Sequence, residues 1–202
     1  MKGIHLADIT RLHREQVVRW HERDVDNPYD GLLGIACRQM SYNFLLWHEE
    51  DVARSRDVSD ARIAQVKRAI DGYNQQRNDW IEKLDDWITE RLAEFSIAPA
   101  DDAPQNTETL GSTIDRLSIL ALRIYHLEEQ RDRADATAEH RESVSRKLAV
   151  ALLQLEDLSR AAQQLADDLF AGRKRHKTYR ALKMYNDPTL NPYLYQARKE
   201  AA

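Results

Sequence analysis

His48 and Asp51 stand three residues apart in Trp47-His48-Glu49-Glu50-Asp51, so on a helix they share a face. An imidazole beside a carboxylate can work as an oriented general base or as a pair of metal ligands. No second histidine stands at ligand spacing, and Arg54 offers Glu50 and Asp51 ordinary helical ion pairs, so no metal is expected. The chemistry assigned to the set is a base, His48, oriented by Asp51 or Asp71.

Further along, Lys67, Asp71, Asn74 and Asn78 fall in one stripe at about 100° per residue, beside the apolar stripe Ile63, Val66, Ile70 and Tyr73. Arg68, Gln75, Arg77, Asp79 and Glu82 crowd the same side with donors and acceptors suited to hydrogen bonding. Such a stripe is either a satisfied interhelical network or the wall of a ligand site, because buried polar groups need partners in both cases. Asn43 adds an amide from an apolar run. Asp115 forms Ser112-x-x-Asp115 ahead of an apolar run, the pattern of a helix-capping box. With Arg116 it also joins the candidate ligand-binding set. Arg116, Arg123 and His126 lie in an apolar helix, where each must snorkel, pair or face a pocket.

The elements that must carry these residues are helical. Gly 6 and Pro 5 are few in 202 residues and charged residues make up 32%, a composition of long helices. Periodicity predicts a peripheral first helix from Leu6 to Val25, a second from about Asp30, and a long third capped by Ser59. A flexible connection over Ala98 to Glu108 follows. A fourth helix is expected after Gly111, a fifth from about His140 to a cap at Gly172, and a short last one over Lys177 to Tyr185. The expected fold is all-α: one domain, an antiparallel bundle of four long helices, an extra N-terminal helix, and a short C-terminal helix plus tail.

Composition also narrows the partners. No stretch has the length and apolarity of a signal sequence or a membrane span, and Cys37 has no second cysteine to pair with, so a cytoplasmic protein with no membrane partner is expected. The formal net charge of -4 disfavours nucleic acid. The basic run Arg173-Lys174-Arg175-His176-Lys177, with Arg180 and Lys183, is read first as a solvated helix end.

The run Trp47-His48-Glu49-Glu50-Asp51-Val52-Ala53-Arg54, then Lys67-Arg68-Ala69-Ile70-Asp71 with Asn74-Gln75-Gln76-Arg77-Asn78-Asp79, resembles an uncharacterised bacterial family, a domain of unknown function. Gly111-Ser112-Thr113-Ile114-Asp115-Arg116-Leu117-Ser118-Ile119-Leu120 and Lys183-Met184-Tyr185-Asn186-Asp187-Pro188 are similar to its other blocks. The resemblance implies an association with glycan or lipopolysaccharide assembly and no particular reaction or cofactor.

Its blocks coincide with the polar stripes, which favours one shared pocket from the second, third and fourth helices and the C-terminal segment. There Lys67, Arg68, Arg77, Arg116 and Lys183 would hold an anionic small molecule, such as a phosphorylated metabolite or nucleotide sugar. Asn43, Asn74, Asn78, Asp79, Tyr185, Asn186 and Asp187 would complete the contacts. The alternative is a non-catalytic scaffold or interaction protein, including a homo-oligomer joined through the tail tyrosines Tyr185, Tyr193 and Tyr195. A metal-dependent hydrolase using Glu49, Glu50, Glu82 and Asp86 would need carboxylates facing across two helices, which nothing in the spacing requires.

Overall fold

The computed structural model describes residues 3–182, 184, 187–194 and 196. Five long helices follow one another among the described residues: α1 (Leu6–Glu22), α2 (Gly31–Arg54), α3 (Asp60–Glu94), α4 (Leu110–Asp132) and α5 (Ala138–Phe170). α2 packs along α3 and α4 along α5, each pair joined by a short turn. α1 lies against α4 and touches α2 and α5, while α3 and α4 meet between the pairs. The result is the expected all-α bundle with its additional N-terminal helix. No helix of the described residues is long and apolar enough to cross a membrane.

Local chemistry sets the ends of these helices. Ser59 caps α3 by accepting from the Arg62 N–H, and Thr137 caps α5 through His140. α4 starts differently from the capping-box expectation. Thr109, not Ser112, is its cap and accepts from the Ser112 N–H at 3.1 Å. A second acceptor comes from α3: buried Asp85 receives the Gly111 N–H at 2.9 Å, a carboxylate at a helix N-terminus where free N–H groups favour negative charge. Burial nevertheless pushes the Asp85 carboxyl above its ordinary pKa, outweighing the Thr109 and Gly111 hydrogen bonds. Gly111 lets this crossing close, because a Cβ there would lie 2.7 Å from the Asp85 carboxylate and 2.8 Å from the Ile81 carbonyl.

The core runs through this crossing. Leu84 and Ile88 of α3 meet Leu110, Ile114 and Leu117 of α4, all essentially inaccessible. α2 is apolar around most of its circumference because α1, α3 and α4 all contact it. α1 ends at Glu22, three residues before Val25, where Arg23 turns extended and an Arg19–Asp26 ion pair holds the loop.

The connection after α3 is tied to the segment after α5. Gly172, at φ 68°, accepts from the Ala100 N–H, and Arg175 donates to the carbonyls of Ala100, Asp101 and Ala103. Lys174 donates to Asn106, His176 bonds the Asp85 carbonyl, and Arg180 pairs with Glu82 and Asp86. The basic run is therefore a strap across α3 and the α3–α4 connection, not a solvated helix end. These bonds hold residues 177–182 without helical backbone, where a last helix was expected. Residue 184 has 3₁₀ backbone, and residues 192–194 and 196 are helical, so the short C-terminal helix of the expected fold lies further along the chain than the sequence suggests.

His13 on α1 is fully buried with neither ring nitrogen hydrogen-bonded among the described residues, and burial pushes its pKa down to about 3. The folded chain keeps this ring neutral, whereas the unfolded chain protonates it near the ordinary 6.5. Its contribution to stability is thus complete above about pH 6.5 and is lost as pH falls towards 3, at up to ~1.4 kcal/mol per unit.

Two measurements check this account. Gly111→Ala should lower stability by about 1–3 kcal/mol in chemical denaturation, and an unchanged midpoint would mean the α3–α4 crossing is looser than described. Between pH 7 and pH 5 the native chain should lose about 2 kcal/mol more stability than His13→Leu, and parallel pH profiles would remove His13 as the cause.

Candidate functional site

A buried carboxylate organises the centre of the bundle. Asp115, one turn past the α4 start, accepts from Gln39 at 2.5 Å and Asn43 at 2.8 Å, both on α2. From α3, the Arg77 Nε and Nη2 reach the two carboxylate oxygens at 2.8 and 2.5 Å in a forked pair. Asn43 also donates to Ser118, whose hydroxyl returns to the Asp115 carbonyl at 2.8 Å. The two ends of the ion pair differ in exposure, with 5% of the Asp115 side chain accessible against 27% for Arg77. The hydrogen bond to Asp115 raises the Arg77 pKa, so the cation is fixed.

Arg77 also lines a cleft of about 420 Å³ between α2, α3 and α4. Its polar walls include Asn43, Glu50, Asp51, Arg54 and Asn74, and its apolar walls include Trp47 and Ile119. Arg54 is held by Glu50 across one helical turn. Nη1 of Arg77 has no hydrogen-bond partner among the described residues, so the guanidinium has donor capacity left beside the amides.

The predicted site residues divide along these lines. Asn43, Asp51, Asn74 and Arg77 come together in the cleft, with Asp115 beneath Arg77. Lys67, Arg68 and Asp71 lie on the exposed side of α3, where Lys67 and Asp71 pair with each other across one turn, so Asp71 does not orient His48. Asp79 bonds Gln75 within α3, and Asn78 is half-buried outside the cleft walls. Arg116 is exposed and pairs with Glu108, and Arg123 is exposed too. Asp187 accepts from Thr189 in a local turn, which holds its carboxyl below the usual range. Lys183, Tyr185 and Asn186 lie outside the described residues, as does Tyr195.

His48 belongs to a different constellation, which spacing along the chain could not show. His21 of α1 and His126 of α4 stand beside it, with ring centroids 5.1, 5.1 and 5.7 Å apart. One nitrogen from each of the three lies within 4.8 Å of the others. Nε2 of all three is buried without a partner among the described residues. Nδ1 of His21 donates to the Val17 carbonyl at 2.6 Å and that of His126 to Glu129 at 3.2 Å, an assignment of tautomers from the acceptors present. Tyr125 stacks on His21, Trp47 on His126, and Phe44 meets His21 and His48 edge-on. Burial first, then the neighbouring imidazoles, lowers the His48 pKa.

A family model described as "Protein of unknown function (DUF4254)" matches residues 34–178. The chain belongs to this family. Comparison with curated proteins and with solved structures gives no match. The DUF4254 segment contains the Asp115 hub, the whole cleft, His48 and His126, whereas α1, with His21, precedes it.

The hub predicts an asymmetry. Asp115→Ala leaves the Arg77 cation and two amides without their acceptor and should cost about 3–5 kcal/mol. Arg77→Ala leaves the carboxylate two amide donors and should cost less. Equal losses in urea denaturation would show that Asp115 does not depend on Gln39 and Asn43.

Proposed function

We propose that this DUF4254 chain binds a small polar metabolite in the α2–α3–α4 cleft, with a phosphorylated metabolite or nucleotide sugar as the class of ligand. The observation that carries this reading is an arginine pre-set in a cleft wall. Asp115 holds two of the three guanidinium nitrogens of Arg77, so little side-chain freedom remains to be lost when a ligand engages the third. Asn43 and Asn74 offer amides for hydroxyls, Arg54 a second cation, and Asp51 a carboxylate that can accept from a sugar hydroxyl or take a proton. The volume of about 420 Å³ is in the range of small-molecule sites. His48, a base in the sequence reading, is not among the cleft walls, and no reaction is assigned.

One observation favours the other reading, a scaffold or interaction protein. Asn43, Arg77 and Asp115 are bonded to one another in closed packing, as a purely structural network would be.

Thermal shift separates the two. A ligand binding only the folded chain raises its melting temperature, by about 5–10 °C at a hundredfold excess over Kd for a chain this size. Across sugar phosphates, nucleotide sugars and nucleotides, a shift is expected that Asn74→Ala abolishes without lowering the ligand-free melting point. No shift with any of these, together with a self-associated chain in sedimentation, would transfer the function to the scaffold reading.

A further inference from the structure

We infer that His21, His48 and His126 form a binding site for one divalent first-row transition-metal ion, of the zinc type. This inference is independent of the cleft ligand. It starts from how the rings present their nitrogens. A buried imidazole nitrogen without a partner is destabilising, and a helical protein ordinarily avoids this by turning the ring towards a carbonyl or hydroxyl. Here three rings from three helices each bury an Nε2 without a partner among the described residues, and one nitrogen from each ring lies within 4.8 Å of the others.

The opposite nitrogens are used as they are in metal sites. The bond from His21 Nδ1 to the Val17 carbonyl and that from His126 Nδ1 to the Glu129 carboxylate place the proton on Nδ1. The Nε2 lone pair is then free for coordination. A carbonyl or carboxylate behind a ligating imidazole fixes its tautomer and orientation. Phe44, Trp47 and Tyr125 hold the rings in place and supply no competing acceptor for Nε2 among the described contacts.

The donor set selects the ion. Three neutral imidazoles with no thiolate suit borderline ions such as Zn²⁺, Co²⁺, Ni²⁺ and Cu²⁺, and disfavour Mg²⁺ and Ca²⁺, which take oxygen ligands. Around one ion at about 2.1 Å the three nitrogens would stand about 3.4 Å apart, so the rings would move inwards from separations of up to 4.8 Å. Three protein ligands leave a fourth coordination position. The ion would tie α1, which precedes the DUF4254 segment, to α2 and α4 within it.

The experiment uses the full chain, stripped with a chelator and titrated with Zn²⁺ and, separately, Co²⁺. One ion per chain is expected. Co²⁺ should develop visible bands of low-coordinate nitrogen ligation, and Zn²⁺ should raise the melting temperature by about 5 °C or more when in excess. His48→Gln and His126→Gln should each weaken binding by on the order of 100-fold or more, and Glu129→Gln by about 10-fold. His5→Ala, at an exposed histidine, and Asn74→Ala, in the cleft, should bind as the native chain does. No stoichiometric ion and no Co²⁺ bands in the native chain would overturn the site. So would binding that survives in the His48→Gln,His126→Gln double variant. If a glutamine variant fails to fold, the Co²⁺ spectrum of the native chain alone decides.

Discussion

A carboxylate placed in the middle of a helical bundle has to be met by donors from its neighbours, and Asp115 is met from two sides. Stripping an isolated carboxylate of water costs far more than any single hydrogen bond returns, so Asp115 relies on several donors at once, supplied by Gln39, Asn43 and Arg77. That requirement fixes the axial register of α2 and α3 against α4, because a slide of one turn, about 5.4 Å, would strand the charge. Apolar side chains could pack in several registers at similar energy; this polar hub accepts one. The α4 N-terminus sets its position too, since Gly111 sits against Asp85 and the carboxylate of Asp115 follows about a turn later.

The helices themselves were legible in the sequence because their signals are local. Ser59 and Gly172 act within a turn of their own positions, and the alternation of apolar positions in α3 and α5 is visible without any partner. The start of α4 departs from the sequence expectation for a physical reason. A capping box is decided by which residue leaves helical backbone first, and Asp85, distant in sequence, stabilises the earlier start at Thr109. That left Asp115 inside the helix and free to turn towards α2 and α3.

The site was half legible for the same reason. Of the amides and cations at helical spacing, Asn74 and Arg77 line the cleft, but the stripe continues through Lys67 and Asp71 on a stretch of α3 whose polar face meets solvent. Periodicity gives a face but not what covers it: Val66 and Ile70 in the same stretch of α3 pack on Leu46 of α2, while Lys67 and Asp71 point away from it to solvent. The basic run near the end of α5 misled in the opposite sense. Its cations looked solvated because their acceptors, the carbonyls of 100–103 and the acids of α3, lie far away in the chain.

The contrast between the hub and the histidines follows from what a fold can do with its own atoms. Around Asp115 each carboxylate oxygen receives an N–H from the protein, so that network gives stability and register. Around His21, His48 and His126 the protein supplies acceptors for two Nδ1 atoms, aromatic walls, and, among the described residues, nothing for Nε2. Stability alone would favour apolar side chains in those three places, since they fill space without leaving polar atoms unpaired. Rings oriented from behind and left open in front are arranged for something that arrives from outside the chain. Because the three belong to different helices, whatever they bind joins α1 to the rest of the bundle.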